Sequence, residues 1–85
     1  MQQNIQQTEF ARRFVDEPTT DLVAIFNKQV NSTGWTAIRA FHDWALISEF
    51  QRRGIDVSVV CKGNIITFSH RVKLNQAGNQ LVFLS

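Results

Sequence analysis

Hydrophobic positions recur along this chain with two different periods, and the switch between them falls near residue 54. Before it, apolar residues return every three or four positions, as a helix burying one face requires; after it, they alternate. Ile5, Phe10, Phe14 and Val15 form a ragged stripe of about three turns, predicting a first helix whose Gln- and Asn-rich start, residues 1–7, frays. Pro18 interrupts, because proline disfavours helical geometry in the residue before it, so Asp16 to Pro18 reads as a turn or helix entry. Thr19, Thr20 or Asp21 can cap a second helix. Its Leu22, Ile25, Phe26 and Val30 share a face, with Asp21, Asn27 and Lys28 turned away.

Asn31 to Gly34 is a polar stop between two helices. The third helix, Trp35 to Arg53, is the most strongly signalled, with Ala37, Ile38, Ala40, Phe41, Trp44, Ala45 and Ile47 as its main buried stripe. Arg52 and Arg53 suit the negative end of its dipole, Gly54 suits a C′ position, and Ile55 is placed for a Schellman-type contact. Val57, Val59 and Cys61 then alternate as a strand, Lys62-Gly63-Asn64 turns, and Val59 is expected opposite Ile66. A long return strand runs from Ile65 to Leu74, residues 75–79 turn again, and Gln80 to Leu84 ends the sheet. Helices segregated from strands exclude a parallel α/β sheet. The expected class is α+β: two or three N-terminal helices on one face of a C-terminal three-stranded antiparallel meander, ααβββ or αααβββ.

With 85 residues, 44% of them hydrophobic and 19% charged, the chain has the size and composition of one small globular domain, residues 1–85. The N-terminus has neither a basic run nor an apolar core of the signal-peptide kind, and no apolar run spans a bilayer, so a membrane role is not expected. One cysteine, Cys61, permits no internal disulfide, which favours a cytoplasmic setting. A net charge of +2 is too mild to argue for nucleic acid unless the cations cluster.

No catalytic, metal or cofactor constellation is legible. Cys61 with His42 or His70 as base is the one thiol mechanism available, but a cysteine on the inward parity of a strand behaves as a small apolar residue. His70 reads as a histidine at the sheet rim. One thiol and two dispersed histidines do not compose a zinc site. Arg39 with Asp43 and Glu49 with Arg53 stand at i,i+4, read as solvated surface pairs worth about 0.3–0.5 kcal/mol each. The glycines are isolated, so no phosphate loop occurs. An enzyme is therefore not expected, nor a small-molecule cofactor.

Two helices joined by a short glycine-containing turn and followed by a hairpin resemble a winged helix in outline. That resemblance implies nucleic-acid contacts from Thr36, Arg39 and Asp43 on the second helix of the pair and from Lys62, Arg71 and Lys73 on the wing. The chain departs from the pattern: its candidate recognition helix is mostly apolar, carries one cation near its start, and has no strand before the helix pair. The favoured expectation is a non-enzymatic interaction or regulatory module that binds a protein partner. Trp35, Leu46 and Phe50 lie off the main stripe of the third helix beside Arg39, the composition of a contact patch unless the first helix covers it. Gln80 to Leu84, as an edge strand, offers a second route, including self-association.

Overall fold

A computed structural model describes residues 5–30, 32 and 36–84. Three helices precede four short strands in an α+β arrangement: α1 (Ile5–Phe14), α2 (Thr19–Gln29), α3 (Ala37–Arg52), β1 (Cys61–Lys62), β2 (Ile65–Ile66), β3 (Val72–Leu74) and β4 (Leu81–Phe83). α1 begins inside the stretch expected to fray. Pro18, not a threonine or Asp21, occupies the N-cap of α2: its carbonyl accepts from the amides of Asp21 and Leu22, and no side chain caps the helix. Leu22 and Phe26 are fully buried, as the spacing of α2 demands.

The end of α3 follows from local chemistry. The Ile55 amide donates to the Phe50 carbonyl at 3.0 Å and the Gly54 amide to Gln51 at 3.0 Å, the two bonds of a Schellman motif, and Gly54 supplies the φ of +78° it requires. Ile55 is buried in the core. At the other end Thr36 Oγ1 accepts from the Arg39 amide at 3.1 Å.

Which face of α3 is buried differs from the expected stripe. Asp43, Ala45, Leu46, Ile47, Glu49 and Phe50 are buried, whereas Ile38 is 54% exposed and Ala37 is exposed. The main partner is α1, whose Phe10 and Phe14 rings stand edge-on to His42 at 5.1 and 5.3 Å. α3 has apolar residues around most of its circumference, so the position of α1 decides which of them enter the core.

The C-terminal half forms two separate two-stranded antiparallel sheets in place of the single meander. Val57 to Val60 is a tight turn and the strand begins only at Cys61: the Val60 and Cys61 amides both donate to the Val57 carbonyl. The Asp56 carboxylate starts that turn by accepting from the Ser58 amide at 2.8 Å, which also holds Asp56 below its ordinary pKa. The turn puts Val57 and Val60 in the core together. The hairpin register is therefore Cys61 opposite Ile66 and Lys62 opposite Ile65, not Val59 opposite Ile66, with Gly63 and Asn64 as a two-residue loop. The expected long strand breaks after Ile66, and β3 pairs with β4: Val72 with Phe83, Lys73 with Val82, Leu74 with Leu81.

Asn27 ties the helices to this second sheet. Its side-chain amide donates to the Val72 carbonyl at 3.0 Å while its oxygen accepts from the Val72 amide at 2.8 Å, so a residue expected to face solvent acts as a neighbouring peptide group. Asn27→Ala leaves a buried strand's donor and acceptor unsatisfied and is expected to cost about 2 kcal/mol, measured by urea unfolding with an unchanged m-value.

Candidate interaction surface

Two of the residues expected to form a contact patch on α3 are not at the surface. Leu46 and Phe50 are 0% exposed and belong to the hydrophobic core, which removes them as docking residues. Trp35 lies outside the described residues. The Arg39 side chain is mostly covered: Nη2 donates to the Gln29 carbonyl at 3.3 Å, Nε lies 3.5 Å from Asp43 Oδ2, and the guanidinium sits 5.5 Å from the Phe68 ring centroid.

The same geometry dismantles the groove-reading helix. Thr36 spends its hydroxyl on the cap of α3, Arg39 is turned inward, and Asp43 is 1% exposed, with Oδ1 3.1 Å from His42 Nδ1. Lys62, Arg71 and Lys73 are exposed, but they face out from two separate sheets and not from one wing.

The two carboxylate pairs on α3 have the expected spacing and the wrong setting. Glu49 is buried, and it accepts from Arg52 Nε at 2.9 Å, Arg52 Nη2 at 2.6 Å and Arg53 Nε at 2.6 Å. The hydrogen-bonded Arg52 side chain holds its pKa below the ordinary value against the opposing effect of burial, with Arg53 adding to the lowering. Arg53 then reaches across to Thr19 Oγ1 at 2.9 Å and the carbonyls of Phe14 at 2.9 Å and Glu17 at 2.6 Å. This cluster binds the α1–α2 connection to α3. His42 is boxed by Phe10, Phe14 and Asp43, and Cys61 is half-buried in β1. Among the described residues there is no cavity, no group of three or more His, Cys, Asp or Glu side chains placed to share a metal, and no helix long and apolar enough to cross a membrane.

The β3–β4 ribbon presents an open backbone edge at the surface. The Leu84 amide donates to Arg71 and the Asn75 amide to Gln80, so residues 71, 73 and 75 exchange bonds with 84, 82 and 80, while Val72, Leu74, Leu81 and Phe83 direct their backbone groups away from the ladder. On the β3 side, Asn27 satisfies Val72. On the β4 side, the Leu81 amide donates to Asp56 at 2.9 Å and the Asp56 amide to Asn79 at 2.8 Å, a single parallel bridge. That bridge ends at once, because the next donor in line, the Ser58 amide, is taken by the Asp56 carboxylate. Phe83 is left as the position on β4 where, among the described residues, neither outward backbone group has a partner.

Its side chains match that exposure. Phe83 is 44% and Leu84 47% exposed, and the exposed His70 ring lies 5.0 Å from Phe83. On the outer face, Arg71 stands across from Leu84 and Lys73 across from Val82. Sequence reading named the strand from Gln80 to Leu84 as an edge but missed Val82, Phe83 and Leu84 as its contact residues. The turn at residues 75–79 was the available signal: closing it pairs Leu74 with Leu81 and sets the parity of every residue beyond. The chain matches no family model, and it has no significant match among curated proteins or solved structures.

Proposed function

We propose that this protein is a non-catalytic interaction module that receives a protein partner by strand addition along the outward edge of β4. One observation carries the reading: the peptide groups of Phe83 point away from their own ladder and, among the described residues, have no partner, beside two exposed apolar side chains. Edges left open in this way are commonly blunted by charge, proline or a cover. Here the edge between Gln80 and Leu84 has no charged residue and no proline. A partner strand gains main-chain hydrogen bonds from Phe83 and apolar contact from Val82 and Leu84, with Arg71 and Lys73 at the rim. A cytoplasmic setting belongs to the same proposal and rests on the single thiol.

Phe83→Pro is the sharp test. It removes the outward N–H while leaving the bonds of Lys73 with Val82 and of Arg71 with Leu84 in place. Random linear peptides selected on the immobilised protein are expected to lose at least about tenfold in affinity to this variant and nothing to Ile65→Ser, an exposed apolar residue on the other sheet. Failure to select any peptide, or peptides indifferent to Phe83→Pro, overturns the reading. The winged-helix alternative makes the opposite demand: random duplex DNA should bind tightly at about 50 mM salt and dissociate steeply as salt rises. No such complex is expected.

A further inference from the structure

We infer that the occupant of the β4 edge is a second copy of the same chain, paired antiparallel about a two-fold axis at Phe83. This rests on the edge reading above and names its partner.

The register follows from which backbone groups are open. An axis centred on Val82 would place Leu81 of each copy in a bonded pair with Phe83 of the other, but the Leu81 amide already donates to Asp56. Centred on Phe83, the pairing uses the open groups: each Phe83 amide donates to the Phe83 carbonyl of the other copy. Val82 then lies opposite Leu84 of the second copy, and Leu84 opposite its Val82. These pairs fall on the outer face, so the row across the four-stranded sheet reads Lys73, Val82, then Leu84 and Arg71 of the second copy. Four aliphatic side chains form the centre, and cations close both ends.

Electrostatics permits this match of like with like. Adjacent strands lie about 4.8 Å apart, so the two β3 strands, with their Lys73 and Arg71 cations, are separated by about 14 Å. That exceeds the Debye length of about 8 Å at physiological ionic strength, and repulsion between the two cationic rows is screened. No charged residue lies on the strand being paired. The surface is self-complementary, which is the condition for an isologous interface that closes at two copies. A foreign strand would have to supply the same aliphatic alternation that β4 already carries. The paired strands are three residues long, so the contact belongs with small, transient interfaces.

Sedimentation equilibrium of the full chain from about 10 µM to 1 mM tests this. The expected result is a rise from 9.8 kDa toward twice that mass across the range, with no higher species. Phe83→Pro should hold the protein at the monomer mass. Leu84→Lys, which puts a cation at the aliphatic centre with no backbone change, should weaken dimerisation at least about tenfold, with circular dichroism showing the fold intact in each. In a mixture of isotope-labelled and unlabelled wild type, intermolecular contacts between Val82 and Leu84 fix the register. A chain that stays monomeric at 1 mM overturns the inference, as does a dimer that survives both variants. The edge reading is judged apart from this: peptide capture that depends on the Phe83 amide in a strictly monomeric protein removes the second copy as occupant and keeps the edge.

Discussion

Phe50→Ala is expected to remove about 3–5 kcal/mol, a large share of the stability of so small a domain. Phe50 is fully buried and belongs to the core cluster with Phe14, Leu22, Phe26 and Leu46, drawing together all three helices. Truncating a buried phenylalanine removes its transfer free energy and leaves a cavity, about 3–5 kcal/mol in sum. A domain of 85 residues has about 4–13 kcal/mol of stability to lose. The Phe50 carbonyl also accepts the Schellman bond from Ile55, so a cavity beneath it loosens the exit from α3. Thermal and urea unfolding of the variant measure the effect. Had Phe50 been a docking residue, as its place off the predicted stripe of α3 suggested, the substitution would have lowered binding and left stability almost unchanged.

The second large effect is expected at Arg53. Its side chain is 17% exposed, and the guanidinium holds Glu49 on one side and the hydroxyl and carbonyls of the α1–α2 connection on the other. Arg53→Met keeps much of the aliphatic stem and removes every one of those donors. Glu49 is left buried with Arg52 alone, the Glu17 carbonyl loses its donor and the Phe14 carbonyl keeps only the Glu17 amide, for a cost of about 3–5 kcal/mol. Lysine does not restore it, because a point charge does not reproduce a fork that meets a carboxylate, a hydroxyl and two carbonyls at once.

The pH dependence has a definite sign. Glu49 is held below its ordinary value of 4.5, so the unfolded chain binds its proton more readily than the folded one. The stability it contributes is present in full above that value and is lost as pH falls through the lower, folded pKa. Wild type should lose stability in acid over that window. Arg53→Met, in which the carboxyl of Glu49 has lost one of the two groups lowering its pKa, should lose less there. Unfolding free energies from pH 7 down to pH 2 compare the two slopes.

Those two residues show where sequence reasoning reaches and where it stops. The spacing of Glu49 with Arg53 and of Arg39 with Asp43 was read correctly as i,i+4 pairs, because spacing on a helix is a property of the helix. They read as surface pairs in the sequence, because burial depends on distant segments closing over them, the α1–α2 connection over Arg53 and Gln29 and Phe68 over Arg39. Leu46 and Phe50 failed for the same reason in reverse: a helix apolar over most of its circumference does not state which side its neighbour takes. At Val57 to Cys61, alternation suggested a strand, while Asp56 two residues before Ser58 was already the signature of a side chain capturing a backbone amide. The competing pattern was longer, and the shorter one won because its hydrogen bond is local.

Asn27 marks the far limit. Nothing near it in the chain distinguishes an asparagine on a solvated helix face from one that completes a strand, since its partner, Val72, is 45 residues away. Determined by the sequence alone were the helix-then-strand order, the stop at Gly54, the burial of Leu22 and Phe26 on α2 and the turn at Gly63, all governed by patterns, bonds and torsions within a few residues. The tertiary structure alone decided which face of α3 became core, which carboxylates were enclosed, and where the ribbon remained open. Those outcomes turn on whether two distant segments meet, and the free energy of meeting is shared among side chains and backbone groups that no local window contains together.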